Sequence, residues 1–474
     1  MSRREQLHQM LRAGWTAFLD FVLELEERVR DLERPVRELT GRLALTSTHS
    51  GKPPSSDGLA KPPAPRSLRP KTKRKPGGQP GHRGHTLQPV EKPDRIIEHV
   101  LGDCSCGQCA GVSLRNQPVL RHEKRQVFEL PEKLVVVHEH RAECKRCPVS
   151  GREVRAAFPA EIAAPAQYGP RFQAALVYLQ QEHAVPVQRV ARIAAELLGQ
   201  PVSAATIAGA SERTYRNLAS FEQQVRDRLT EKPAVNLDES GLRVAGQLHW
   251  VHVVSTRDLT FYGVHPKRGT EAMDYFDIIP RCRQWVLHDH FKPYFTYGHC
   301  LHGLCNQHHL RELKFLHEEE GQAWAGELSR FLLHWNQRLG ENQALGEKAF
   351  QRAHAQYRAL LAKGRRQHPR QPSGAQSKAA NLLRRLKDYD LSVLAFLLEP
   401  EVPFTNNQAE RDIRMVKVRQ KVSGCFRTLH GARVFARIRG YLSTCRKQGR
   451  PLLAALHQAF LGQSLPLSAS ARGP

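Results

Sequence analysis

The segment NNQAERDIRMVKV, residues Asn406 to Val418, sets two acids, Glu410 and Asp412, among cationic and apolar residues. Read as a helix, it puts Asn406 four residues before Glu410, Asn407 three before, Arg414 four after and Lys417 seven after. All five then share one face, and Asp412 points elsewhere. An acid flanked by polyanion-binding groups suits phosphodiester chemistry. That chemistry needs an in-line nucleophile, stabilised transition-state charge and a stabilised leaving oxygen. Two divalent ions about 4 Å apart supply all three, and hard cations call for carboxylate ligands.

The elements that must position such a site follow Pro233. AVNLDESGLRV, QLHWVHVVST and LTFYGVHP are short runs rich in β-branched and aromatic residues, joined by turn residues such as Gly246 and Arg257-Asp258. They predict an antiparallel meander. A helix-like TEAMDYFDII follows, and then a fourth strand, QWVLHDHF. Three antiparallel strands, a helix and a further strand is the order of a ribonuclease-H-like core. Asp238 falls on the first strand, Asp289 at the end of the fourth, and Glu410 on a later helix beyond a helical insertion at about 300–400. Asp258, Asp274, Asp277 and Asp412 read as turn or solvent-facing positions, and Asn406 and Asn407 as caps that start the Glu410 helix and orient its carboxylate. His288 and His290 flank Asp289 and alternate away from its face, so neither is expected to be a ligand.

A second chemistry is written in cysteine. Cys106-x-x-Cys109 and Cys144-x-x-Cys147, separated by the strand-like QVFELPEKLVVVHEH, have the spacing of a zinc ribbon over residues 96–151. Four thiolates would close a structural zinc site. Cys104 is set aside, because a shift to it leaves CxC. In LHGLCNQHHLREL, His302, Cys305, His308 and His309 also have metal-like spacing. The preferred reading there is one helix with a buried Cys and His beside the core, contributing hydrogen bonds or a DNA contact.

Length and charge bound the rest. A chain of 474 residues divides into several domains. A formal charge of +26, from 72 Lys and Arg against 46 Asp and Glu, is the footprint of a polyanion, with nucleic acid the first guess. There is no run of about 18 apolar residues and no signal-like start, so no membrane partner and a cytosolic location are expected. Residues 1–45 carry a heptad seam, Trp15, Phe18, Val22, Leu25, Val29, Leu32, Val36, Leu39 and Leu43, crossed by Pro35. A coiled-coil-like, self-associating helix and an amphipathic helix packed on its own chain both fit. Residues 46–95 form a basic Pro/Gly-rich linker, either a tether for phosphates or a solvated spacer. Residues 165–230 are helical, with a Gly199 stop and a Ser203 cap that resemble a helix-turn-helix, as any helix pair with a glycine turn would. The core spans 233–445, and 446–474 is a carboxy-terminal tail.

NLDESGLRV, LHWVHVVST, HPKRGTEAMD, VLHDHFKPYF, LCNQHHLREL, NNQAERDIRMVKVRQKVSGCFRT and YLSTCRKQGR, in this order, resemble the successive blocks of the insertion sequence 66 family of DDE transposases. The resemblance extends upstream to SGKPPSSDG, GGQPGHRGHT and the two-knuckle zinc segment. It implies an enzyme of a bacterial insertion element that cuts DNA at the element ends and transfers the 3′ hydroxyl into target DNA. On this resemblance Asp238, Asp289 and Glu410 are the triad, holding two magnesium or manganese ions, and Lys417 is the basic residue placed on DNA, with Arg414 and Lys421 beside it. It also implies homo-oligomers, element-encoded accessory proteins and association with the bacterial nucleoid. Two other readings stay open: a nuclease or resolvase without strand transfer, and a zinc-ribbon regulator with a vestigial core.

Overall fold

In a computed structural model of the chain, the described residues are 14, 16, 19–29, 32, 87–106, 108–109, 111–340, 343–369, 376–464 and 466–467. Of the heptad seam, Trp15, Phe18, Val36, Leu39 and Leu43, with Pro35, lie outside them, as does most of the basic linker. Residues 19–29 are helical, and Leu25, Val29 and Leu32 are exposed.

Two compact units are present, divided between Arg141 and Ala142. The smaller, described from residue 87, has little regular structure. Cys104 donates its backbone N–H to Val112, and Leu114 to Gly102, closing a loop around the first cysteines. The stretch QVFELPEKLVVVHEH forms no strand, and Val127, Val136 and Val137 are exposed. Its alternating branched residues have no partner strand on which to form a ladder. The expected hairpin lies elsewhere. In the larger unit β1 (Cys144–Arg146), which begins at the first cysteine of the second pair, pairs antiparallel with β2 (Glu153–Arg155) across a turn that holds Cys147.

The larger unit is a mixed α/β structure around a five-stranded sheet. In chain order its strands are β3 (Ala234–Val244), β4 (Gln247–Ser255), β5 (Thr260–His265), β6 (Trp285–His288) and β7 (Leu301–Leu304). In space they run β5-β4-β3-β6-β7. The first three form the expected antiparallel meander, turned at Ala245-Gly246, both at positive φ as a two-residue hairpin demands. β6 and β7 add in parallel on the other side of β3. The fourth strand is where the sequence puts it; the fifth, LHGL, falls in the stretch read as the start of the helical insertion.

Alternation along β3 divides its side chains between two layers. Val235 and Leu237 join a core with Val254, Phe261 and the helices Ala204–Asn217, Ala219–Glu231 and Leu429–Lys447. Leu242 and Val244 face the other way and pack with Ala409, Ile413 and Val416 of the helix Asn407–Ser423. Burial of Ile413 and Val416 contributes about 1.5–3 kcal/mol each and fixes that helix on the sheet. Between β7 and this helix, the helices Asn306–Glu318, Ala323–Arg338, Glu347–Gln367 and Lys378–Asp388 enclose a core of their own around Trp324 and Tyr357. In the upstream helical region Ser203 caps its helix by accepting from the Thr206 N–H at 3.0 Å, and Gly199 takes a φ of +67°. The stretch read as a carboxy-terminal tail contains a helix, Leu452–Phe460, whose Ala455, Leu456, Ala459 and Phe460 are buried in the main core. Among the described residues no helix is long and apolar enough to cross a membrane.

Candidate active site

Parallel register puts the first two acids side by side. Asn236 of β3 pairs with Leu287 of β6, and Asp238 and Asp289 each lie two residues further along. Asp289 is the first residue past β6 and its charge reaches Asp238, while Asp238 is still in β3 and, with a side-chain period of two, faces the same side as Asn236. This is also the face on which the helix Asn407–Ser423 lies, and Glu410 is in its first turn. Burial pushes the Asp238 carboxyl well above the usual range, and the charges of Glu239, Asp289 and Glu410 push it further. Asp289 Oδ1 accepts the Phe291 N–H at 2.8 Å, which turns the chain out of β6.

Asn406 starts the Glu410 helix differently from the expected cap. Its side chain makes no capping bond. Instead its amide nitrogen donates to the Leu237 carbonyl at 2.6 Å, and its amide oxygen accepts from Asn236 at 2.9 Å. A buried asparagine with two strand partners locks the helix start to β3 beside Asp238, where an exposed cap would hold only its own helix. Arg414, Lys417 and Lys421 are exposed along the same helix. The Lys417 ammonium donates to the Gly241 carbonyl at 3.4 Å; partial burial lowers its pKa, opposed by the charge of Asp238.

One reading of the remaining acids changes, that of Asp412, whereas Asp258 sits in the β4–β5 turn and Asp274 is exposed. Asp412 is not solvent-facing: it is buried against Lys447 at 2.7 Å, because the helix turns it into the seam with Leu429–Lys447. Asp274 accepts from the Tyr297 hydroxyl at 2.6 Å, and Asp258 pairs with Lys232 at 2.7 Å.

Glu239 escaped sequence reasoning. It follows Asp238 on a strand, so it points into the opposite layer, and its side chain is 2% exposed. Arg268 pairs with it at 2.6 Å and the Tyr294 hydroxyl donates to it at 2.5 Å. Arg268 in turn stacks on Phe291 at 3.9 Å and on Trp250 at 4.9 Å. A cation, a phenol and two aromatic faces thus hold the backbone beneath Asp238. The period-two rule applied to DESG was the available signal.

The histidines near Asp289 also resolve. His288 contacts the Asp289 carbonyl and meets His302 at 3.0 Å; His290 meets His309 at 2.8 Å. Burial depresses all four. Neutral imidazoles therefore flank the carboxylates. Of LHGLCNQHHLREL, only Cys305 and His308 turn to Glu410: a sulfur, a ring nitrogen and a carboxylate oxygen lie within 4.8 Å of one another.

The donor set fits divalent cations. Asp238, Asp289 and Glu410 gather like charges, and Glu410 Oε1 is buried without a hydrogen-bond partner among the described residues. Elsewhere Cys104, set aside in the sequence, joins Cys106 and Cys109: the three sulfurs lie within 4.8 Å, and those of Cys106 and Cys109 are 3.2 Å apart. The neighbouring Cys109 thiol and nearby backbone donors bring Cys106 down to about 6, toward the thiolate that binds metal. Cys147 Sγ accepts the Ser150 N–H at 3.5 Å in its own turn.

No curated protein matches the chain. A family of unknown function (DUF6444) matches residues 3–88. The model of the Transposase IS66 family matches residues 165–434, a span that contains β3 to β7, the three acids and the cationic helix. That span covers more than half of the chain, which therefore belongs to the IS66 family of transposases, enzymes that process DNA.

Proposed function

We propose that this transposase cuts DNA at the ends of its element and transfers the freed 3′ hydroxyl into target DNA, using a ribonuclease-H-like core in which Asp238, Asp289 and Glu410 hold two magnesium or manganese ions. The observation that carries the reading is that the charges of Asp289, just past the end of β6, and of the helix-borne Glu410 both reach Asp238 on the adjacent β3, and that Glu410 has a buried oxygen without a partner among the described residues. Bound there, the ions would supply an activated nucleophile and neutralise charge on the phosphorus and leaving oxygen. The protein's own part is geometry. β3 and β6 fix Asp238 and Asp289, and Asn406 ties the Glu410 helix to β3. Arg414, Lys417 and Lys421 hold phosphates along one helix and set the scissile bond against the acids.

The cysteine segments take structural zinc, with Cys106, Cys109, Cys144 and Cys147 as the ligand set and Cys104 as the alternative donor in the first knuckle. Homo-oligomers on the element ends, accessory proteins of the same element and a place on the bacterial nucleoid complete the reading. The test is cutting and joining of labelled element-end DNA with and without magnesium. Both activities should vanish on chelation and return with magnesium or manganese. Metal-independent cutting would overturn the reading, and cutting without joining would favour a nuclease.

A further inference from the structure

Cys305 and His308 have no part in the reaction described above. Cys305 lies just past β7 at the start of the helix Asn306–Glu318, and His308 is in that helix's first turn. Their two histidine neighbours have partners elsewhere: His302 lies 3.2 Å from the Tyr297 carbonyl, and His309 lies 3.0 Å from Asn306 Oδ1. His308 Nδ1 and Glu410 Oε1 are both buried without a hydrogen-bond partner among the described residues. Folded proteins leave few such atoms unpaired, and both residues belong to a group with buried Cys305 in which one ligand atom of each lies within 4.8 Å of the others, which marks a place for a common partner.

We propose that Cys305, His308 and Glu410 form a binding site for a borderline-soft divalent cation, zinc foremost, separate from the cysteine-rich segment. Sulfur disfavours magnesium and calcium, whereas one sulfur, one imidazole nitrogen and one carboxylate oxygen suit zinc. Three protein ligands leave a fourth position for water. On binding, the Cys305 thiol releases its proton to solvent and the sulfur bonds the cation. The Asn406 backbone N–H, which donates to Cys305 Sγ at 3.1 Å, then stabilises the thiolate. The site clamps the start of the helix Asn306–Glu318 to the start of the helix Asn407–Ser423, making Cys305 and His308 positioning residues for Glu410. That last consequence rests on the reaction proposed above; the cation site itself does not.

The test uses the full-length chain with Cys104, Cys106, Cys109, Cys144 and Cys147 all changed to serine, titrated with Co2+ in the absence of DNA. The expected result is about one equivalent bound, with thiolate-to-cobalt charge transfer and tetrahedral ligand-field absorption. Adding C305S should abolish the charge-transfer band, and adding H308A should weaken cobalt binding at least about tenfold. A second measurement avoids the serine background: H308A in the otherwise native chain should carry about one zinc fewer than wild type by elemental analysis. A thiolate band unchanged by C305S together with unchanged zinc content in H308A would overturn the proposal. Neither readout involves DNA cleavage, so failure of the reaction proposed above leaves this result standing.

Discussion

The side-chain amide of Asn406 donates to the carbonyl oxygen of Leu237 at 2.6 Å, tying the residue just before the Glu410 helix to the residue before Asp238. One acid's helix and another acid's strand thus share a buried hydrogen bond. Asn406→Ala removes it and leaves the Leu237 carbonyl and the Asn236 amide without this partner, at a cost of about 1–3 kcal/mol in stability. A small misplacement of Glu410 should lower the cleavage rate up to about 100-fold. Single-turnover cleavage with DNA affinity measured in parallel checks this: the rate should fall and the affinity should hold.

Lys417 is exposed, donates to the Gly241 carbonyl and feels the charge of Asp238, so it stands at the rim of the acids with its ammonium available to a phosphate. Lys417→Ala should weaken binding to all DNA sequences alike and reduce the slope of log K against log salt by about 1. Titrations at several salt concentrations give that slope directly.

His252, buried on β4 as the register partner of Glu239, provides a pH signature from the layer opposite Asp238. Burial, with the charges of His265 and Arg268, depresses its pKa from 6.5 to about 4. Below pH 6.5 the unfolded chain takes up this proton before the folded one does. The contribution is complete above about 6.5 and is lost as pH falls toward 4, amounting to about 3 kcal/mol. Denaturant midpoints between those pH values should decline less steeply in His252→Phe than in wild type.

The sequence revealed elements wherever local pattern and long-range packing demanded the same thing. The β3–β4–β5 meander was legible because its branched runs alternate and its turns carry their own chemistry. Ser203 and Gly199 declared a helix start and stop. LHGL of β7 was not legible: four residues, one of them Gly303, carry no period and become a strand only by pairing with β6. LLAALHQAF near the end was passed over as tail, although its apolar spacing is helical, because what makes it core is a surface to which the helices Pro170–Val177 and Ala204–Asn217, far away in sequence, contribute together with Leu429–Lys447.

The candidate site divides in the same way. Sequence placed Asp238 on a strand and Glu410 on a later helix, and the fold has both there, with the charges of Asp289 and Glu410 reaching Asp238. The roles of Asn406 and Asp412 could not be read in this way, since each depends on which neighbour the folded helix meets: β3 for one, Lys447 for the other. Glu239 was hidden by adjacency to Asp238, and Cys104 by the habit of reading CxxC in preference to its neighbour.

The central claim is that Glu410 completes a metal site with Asp238 and Asp289. Its most direct test is strand cleavage and strand transfer on labelled element-end DNA with magnesium, comparing wild type with Glu410→Gln, which keeps shape and removes charge. Cutting and joining should both be lost in the variant, with DNA binding retained. Equal activity in the two proteins would contradict the account and return the search to the other acids of the chain.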